Sequence, residues 1–278
     1  MSKKSSSKTN FLAQGTILVI ASFVAKAIGM IYRIPLTHIL GDDGNGYYST
    51  ANEIYTIILM ISSFSLPLAV SRLVAEREYA GEVKNSYKVL ICSLRFAAVT
   101  GGILSILTFL LGGVITKYVM GVELASYALR VLAPAIFLFA LTGVLRGFFQ
   151  GHGTMVPTAV SQIIEQIINA IVSVAGAYVM LQYGLKLGEK KGDAELGTAL
   201  AAAGGTFGTV ASVGVALLFM IVIYLGYRNG FKRRMKKDKT RRRESDRAIY
   251  RAITYTILPI VLSTLVYNIS TIIDQGVF

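Results

Sequence analysis

Polar side chains form a stripe along one side of the apolar segment that follows Pro157. The members recur at spacings of three and four residues, the period of one helix face; they are Thr158, Gln162, Glu165, Gln166, Asn169 and Ser173. At about 1.5 Å per residue, Glu165 lies roughly 12 Å along a helix that begins at Pro157. A carboxylate at that depth is costly against lipid. The stripe is therefore predicted to face a cavity, as polar lining or a proton- or ion-coupling site, or to bind a neighbouring helix through amide hydrogen bonds.

Two cations lie inside the first apolar segment, which runs from Phe11 to about Leu36. Ser22, Lys26, Gly29 and Arg33 follow one another at steps of four, three and four, so both cations share one helix face. Each costs roughly 2.5–3.5 kcal/mol at a helix centre. The pair is predicted to line a wet cavity; snorkelling to the interface is the alternative, and it suits Arg33 near the helix end better than Lys26.

Two further acids fall in apolar helices. Glu53 belongs to the second predicted helix, about residues 47–74, where a place near the outer mouth makes surface exposure the alternative to cavity lining. Pro67 is predicted to kink that helix. Asp274 lies on the polar face of the last helix, which begins near Ala252, and is a further candidate for cavity lining or ion coupling.

Composition limits the function classes. The chain of 278 residues is 54% hydrophobic and 15% charged, which is typical of a polytopic membrane protein and not of a soluble domain. Cys92 is the single cysteine, and His38 and His152 are far apart, so the sequence predicts no disulfide and no metal site. There is no nucleophile with a base at catalytic spacing, so we predict no enzyme activity and no cofactor.

Hydropathy divides the chain into four parts. They are a polar tail (1–10), six apolar helices (11–227), a basic linker (228–251) and one further helix (252–278). With a cytoplasmic N-terminus, 20 of the 28 lysines and arginines fall on the predicted inner side and 4 on the outer side. This bias predicts a multi-pass membrane protein whose N-terminus is cytoplasmic. The helix at 198–227 is rich in alanine and glycine, which predicts close helix packing.

The basic linker carries twelve lysines and arginines. A nucleic-acid tail is one interpretation, but no aromatic residue stands between Phe231 and Tyr250 to stack on bases. Binding to anionic membrane lipids explains the linker better.

A short turn between the fourth and fifth helices carries the clearest motif, RGFFQGHGTMVPTAVSQIIEQ. Arg146 is predicted to end the fourth helix, and Pro157 to fit the first turn of the next helix. Gly147, Gly151 and Gly153 are predicted to loosen the backbone around Gln150. The motif resembles the signature of the polysaccharide-biosynthesis branch of the multidrug/oligosaccharidyl-lipid/polysaccharide (MOP) flippase superfamily. Within that branch it is most similar to the stage V sporulation protein B-like and lipid II flippase-like group of Gram-positive bacteria.

The resemblance implies an all-α transporter of the MATE/MOP type, with two six-helix lobes facing each other across a cavity. This chain would supply the first lobe, the linker and the first helix of the second lobe, and we expect a truncated sequence whose C-terminal lobe is missing. The implied substrate is an undecaprenyl-linked precursor of the cell wall, such as lipid II, moved by alternating access in vegetative growth or sporulation. Lys26 and Arg33 would bind its diphosphate, and Na⁺, H⁺ or the membrane potential would drive transport.

Three alternatives remain open at this stage. One is a cation-coupled multidrug exporter of the same superfamily, and another is a flippase for a different polyprenyl-linked polysaccharide unit. The third is a protein that does not transport but recruits lipids or partners through its basic linker.

Overall fold

The computed structural model describes residues 2–277 except 193–194 and 241–242, and the side chains from 14 to 263 with the same gaps. Seven α-helices follow one another: α1 Ser2–Ser62, α2 Leu66–Tyr79, α3 Val83–Val114, α4 Ala125–Gly151, α5 Val156–Lys191, α6 Leu196–Lys237 and α7 Asp246–Val277. A short π-helical turn, Ile115–Val119, extends α3. Throughout the described ranges there is no β-strand, so the predicted all-α class is confirmed.

α1 is two helical arms joined at Gly41. This glycine has φ 65 and ψ −173, a conformation that interrupts the helix and that residues with a Cβ rarely adopt. Tyr32 and Tyr48 lie near each other across the break. In a straight helix they would stand roughly 24 Å apart, so the chain folds back at Gly41.

The second arm is interrupted near Pro67, where the sequence predicted a kink. The helix stops at Ser62, and α2 begins at Leu66 with Pro67 in its first turn. A proline at that position needs no backbone N–H, so the break lies just before it and not at the proline itself.

Five helical segments of the described chain are long and apolar enough to cross a membrane. They are Gln14–Tyr79, Val83–Val119, Ala125–Gly151, Val156–Lys191 and Leu196–Lys237. The first is 66 residues long, far beyond the ~20 residues that one crossing needs, and its fold-back at Gly41 gives it two arms.

The bundle has two ends that differ in charge. At one end, Arg77 meets Glu244, Glu78 meets His152 and Arg234, and Lys84 meets Asp238. We call this the basic end, since it also carries the exposed cations at the end of α6. At the opposite end, the Gly41 turn lies against the start of α6, where Tyr47 donates a hydrogen bond to Glu195.

Small residues bring α5 and α6 together, as the alanine and glycine content of α6 predicted. A Cβ on Gly204 would stand 2.2 Å from the carbonyl oxygen of Gly176, and a Cβ on Gly208 would stand 2.1 Å from Ser173 Oγ. No side chain fits at such distances, so the two backbones are in direct contact. This contact holds the polar stripe of α5 in a fixed orientation.

Candidate functional site

The polar stripe of α5 faces the first arm of α1. Ser22 Oγ donates a hydrogen bond of 3.4 Å to Gln162, and Asn169 Nδ2 donates one of 3.0 Å to the Tyr32 hydroxyl. Between them, a Cβ on Gly29 would lie 3.5 Å from Gln166 Oε1. Both contact series ascend along the chain, so α1 and α5 run parallel. At the basic end, Gln14 accepts a hydrogen bond from the Met155 backbone N–H, where both helices begin to cross.

Lys26 and Arg33 stand beside this contact. At about 100° per residue, both lie within roughly 40° of Ser22 around α1. Both side chains are exposed, and neither makes an ion pair with another residue in the described part of the chain. Measured along α1 from Gln14, Lys26 lies about 18 Å and Arg33 about 28 Å into the bundle. The two cations therefore form an open, positively charged edge beside the amide stripe.

Glu165 is paired with a cation from α4. Arg146 Nη2 donates a hydrogen bond of 2.7 Å to Glu165 Oε2, and its Nε donates one of 2.9 Å to Ser161 Oγ. Only 8% of the arginine side chain and 14% of the glutamate side chain are exposed. The charge of Glu165 also acts on the buried Tyr55 of the second α1 arm. The buried carboxylate is therefore neutralised by a partner on the next helix.

Asn169 joins three helices. Its amide donates to Tyr32 on α1, and its carbonyl oxygen accepts hydrogen bonds from Ser173 at 2.9 Å and from Thr209 of α6 at 3.4 Å. The predicted packing between α5 and α6 thus holds at this residue, whereas Gln162 and Gln166 meet α1. The stripe both packs helices and borders the open edge.

The signature motif does not form the turn that its glycines suggested. α4 continues through Gly151, so Arg146, Gly147, Gln150 and Gly151 are helical, and only His152 to Met155 form the turn. Gly147 and Gly151 allow α2 to approach, because their Cβ atoms would lie 2.5 Å and 2.7 Å from backbone oxygens of that helix. Gly153, with φ 76, supplies the reversal.

The motif continues into the start of α5 with Pro157 and Thr158. Pro157 occupies its first turn, as predicted. Gln150 Nε2 donates a hydrogen bond of 3.4 Å to Thr158 Oγ1, which ties the end of α4 to this turn.

The two remaining acids are not brought into this cluster by a described contact. Glu53 is exposed on the second arm of α1. Asp274 lies outside the residues whose side chains the structure describes. Among the described residues, no group of three or more histidines, cysteines or acids is placed to hold a metal ion.

Sequence reasoning missed Ser161 and Tyr32 as members of the site. Ser161 belongs to the same α5 face as Gln162 and Glu165 within one turn, but it was not recognised as an arginine ligand. Tyr32 lies one residue before Arg33, and its hydroxyl is the α1 partner of the stripe. The signal available in the sequence was that Tyr32, a polar side chain, stands next to Arg33 inside an apolar segment.

Comparison with known proteins places these features in context. The model of the family described as "Polysaccharide biosynthesis protein" matches residues 11–277. The chain is 27% identical over 217 residues to stage V sporulation protein B of Bacillus subtilis, which covers 78% of this chain and 39% of that protein. It is 27% identical over 180 residues to the lipid II flippase MurJ of the same organism, covering 62% of this chain and 33% of that protein. The chain thus spans a third to two fifths of the length of these relatives.

Solved structures of MOP transporters share the fold. An outward-facing multidrug resistance MATE transporter matches with a TM-score of 0.74 and 20% identity, over 95% of this chain and 54% of that one. A MOP transporter of Pyrococcus furiosus matches with a TM-score of 0.69 and 20% identity, over 92% of this chain and 53% of that one. Its binding pocket is described as having reverse polarity. The likeness confirms the predicted fold, that of the first lobe in MATE/MOP-type structures.

Proposed function

The chain belongs to the polysaccharide biosynthesis protein family, and from that premise we propose that it forms one lobe of a flippase for lipid-linked glycans. A second lobe would close the cavity on the open side of α1. The substrate would be an undecaprenyl-diphosphate-linked precursor, most simply lipid II, moved from the cytoplasmic to the outer leaflet. One named relative is a lipid II flippase, which supports this substrate class.

The observation that carries the proposal is the charge of the open edge. Lys26 and Arg33 are exposed and unpaired among the described residues, whereas the nearby carboxylate of Glu165 is neutralised by Arg146. The net positive edge suits a diphosphate, because charge-assisted hydrogen bonds to phosphate oxygens are among the strongest in proteins. The amides of Gln162 and Gln166 suit the hydroxyl groups of sugars.

Alternating access fits the spacing of the two cations. Lys26 and Arg33 are seven residues apart, which is about 10 Å along the helix. A diphosphate that left one cation would meet the next before it entered lipid. The polyprenyl tail would stay in the bilayer, as its apolar character requires. Na⁺, H⁺ or the membrane potential would bias the direction, with Glu53 and Asp274 as further candidate coupling acids.

A cation-coupled multidrug exporter is the second candidate, since the solved multidrug transporters share this fold. Such an exporter needs an acidic, aromatic-lined cavity for cationic drugs. Pairing of Glu165 with Arg146 removes the most central acid from that role, so the geometry supports the anionic substrate better.

Complementation tests the proposal. The protein with both lobes should rescue a strain depleted of its lipid II flippase, with lipid II becoming accessible in the outer leaflet. Lys26→Glu and Arg33→Glu should each abolish rescue while membrane insertion stays normal, because each repels the diphosphate. Lys186→Glu, an equal charge reversal at the exposed end of α5, is the matched control and should rescue. Full rescue by both reversed variants would refute the assignment, and resistance to cationic drugs without rescue would favour export.

A further inference from the structure

A cavity of about 390 Å³ lies at the basic end, away from the polar stripe. It is lined by residues of α3, by Met235 of α6 and by Arg243 and Asp246. Four of its lining side chains are cationic and one is acidic: Lys84, Lys88, Arg95, Arg243 and Asp246. The volume falls within the range of about 300–1,000 Å³ that small-ligand sites occupy.

The single acid, Asp246, cannot neutralise all four cations. Lys88 Nζ binds Asp246 at 2.7 Å, and Arg95 reaches the same carboxylate only at 3.7 Å, with 65% of its side chain exposed. Lys84 Nζ donates to the backbone carbonyl of Asp238. Arg243 forms no ion pair with any residue of the described ranges. Two guanidinium groups thus retain free N–H donors, whose planar fork matches phosphate oxygens.

The position of Arg95 along α3 indicates where this cavity lies in a membrane. Residues 96–116 contain no charged side chain, and Lys117 follows them. These 21 residues span about 31 Å as a helix, which equals the ~30 Å hydrocarbon thickness of a bilayer. Arg95 therefore lies at the level of the lipid head groups.

The same face of α3 is exposed over about two thirds of the membrane thickness. Val99, Ile103, Ile106 and Leu110 follow Arg95 at steps of four, four, three and four, so they lie below it on one face. All four are exposed apolar side chains. A molecule with a phosphate in the cavity and acyl chains on this stripe would match both surfaces, whereas a soluble phosphate compound would use only the first.

We propose that this cavity binds the phosphate head group of an anionic phospholipid, with Arg95 and Arg243 as its direct ligands. Lys84 and Lys88 hold the wall of the site in place through Asp238 and Asp246. The bound lipid would bridge α3 and the segment before α7. This site is separate from the substrate edge on α1 and does not depend on the transport proposal.

Native mass spectrometry of the detergent-purified chain tests the site. The chain is titrated separately with phosphatidylglycerol and with phosphatidylcholine. The first molecule of phosphatidylglycerol should bind about tenfold more tightly than the first molecule of phosphatidylcholine, because the head group of phosphatidylcholine is neutral overall. The double variant Arg95→Gln/Arg243→Gln should lose most of that preference. Arg233→Gln/Lys237→Gln is the matched control: it removes two exposed charges from the same end, outside the cavity, and should leave the affinity within about twofold.

Three results would overturn the proposal. Equal affinity of the unaltered chain for the two lipids would exclude an anionic site, and this comparison holds even if the double variant fails to fold. An equal loss in the control variant would mean that general surface charge binds the lipid. Displacement of phosphatidylglycerol by the same concentration of glycerol 3-phosphate would identify a site for soluble phosphates.

Discussion

At the scale of single residues, the candidate site contains an almost buried ion pair, that between Arg146 and Glu165. The two charges lie on different helices, both almost buried, and Ser161 takes a further donor of the guanidinium. In such an environment, removing one partner leaves an uncompensated buried charge, which costs more than the pair contributes. Glu165 therefore holds α4 against α5, in addition to any part that it takes in ion coupling.

This arrangement predicts opposite effects of single and double substitutions. Glu165→Gln should lower the free energy of unfolding by about 3 kcal/mol, because Arg146 keeps its charge without a counterion. Arg146→Met/Glu165→Met should recover most of the loss, since apolar side chains of similar volume replace the pair. Denaturant titration of the purified chain in detergent measures both.

Glu53→Gln is the matched control for this prediction. It makes the same change at an exposed acid and should alter stability by no more than about 0.5 kcal/mol. If Glu165→Gln proves no more destabilising than Glu53→Gln, the pair does not have the structural importance assigned to it.

The sequence identified both residues of this pair but not the contact between them. Periodicity assigns Glu165 to a helix face, and it places the stripe against some neighbour. It does not say which helix is that neighbour, since this depends on the crossing of α4, α5 and α1. Arg146 was expected at a helix end because glycines follow it. Those glycines instead allow α2 to pack closely against α4, and this contact is visible only in the tertiary structure.

At the scale of elements, the segment between α6 and α7 is fixed to the α2–α3 turn by its acids. Glu244 binds Arg77 through two hydrogen bonds of 3.1 and 2.8 Å, and Asp246 binds Lys88. Asp238 accepts a hydrogen bond of 2.7 Å from the Lys84 backbone N–H. The sequence showed twelve basic residues here and suggested a loop governed by positive charge. The three acids among them make specific contacts, as does Arg234 with Glu78, and α6 continues as a helix through Lys237.

The carboxylate Asp246 keeps its charge well below neutral pH. The hydrogen bond from Lys88 lowers its pKa below the usual range, which desolvation only partly opposes. A lowered folded-state pKa means that the contact stabilises fully above the unfolded value, about 3.9, and is lost as pH falls through the folded value. The segment should therefore stay attached between pH 5 and 8.

Removing the acids should release the segment. Glu244→Gln/Asp246→Asn should speed tryptic cleavage at Lys239 and Arg243 about five- to tenfold, because two partly exposed ion pairs that hold the segment are lost. Gel analysis of a time course measures the rate. The control variant Asp42→Asn/Asp43→Asn removes two exposed acids at the Gly41 end. It should leave the rate of cleavage at Lys239 and Arg243 unchanged. An equal rate in all three proteins would show that other contacts hold the segment.

At the scale of the whole molecule, hydropathy and composition were sufficient to predict an all-α, multi-pass chain, whereas its assignment to one lobe came from the family resemblance. Long apolar runs separated by polar turns specify helices that must cross a membrane, whatever their contacts. The fold-back at Gly41 and the break before Pro67 also have local causes in single residues. The burial of Ile249 and Ile253 in one core with α2 and α4 had no such signal. α7 thus packs on this lobe at its start, although the sequence assigned it to another.

The orientation of the molecule is the remaining prediction at this scale. Exposed lysines and arginines concentrate at the basic end, which predicts that this end faces the cytoplasm. Lys239→Cys places a thiol at that end and Lys191→Cys places one at the opposite end of the bundle. A membrane-impermeant maleimide should label the second variant in intact cells and the first only after permeabilisation. The unaltered chain is the control, because its Cys92 is buried and should react slowly. Labelling of Lys239→Cys in intact cells would show that the protein has the opposite orientation. In the expected orientation α1 and α5 both begin at the cytoplasmic face, so under the proposed function a head group that enters from the cytoplasm would meet Lys26 before Arg33.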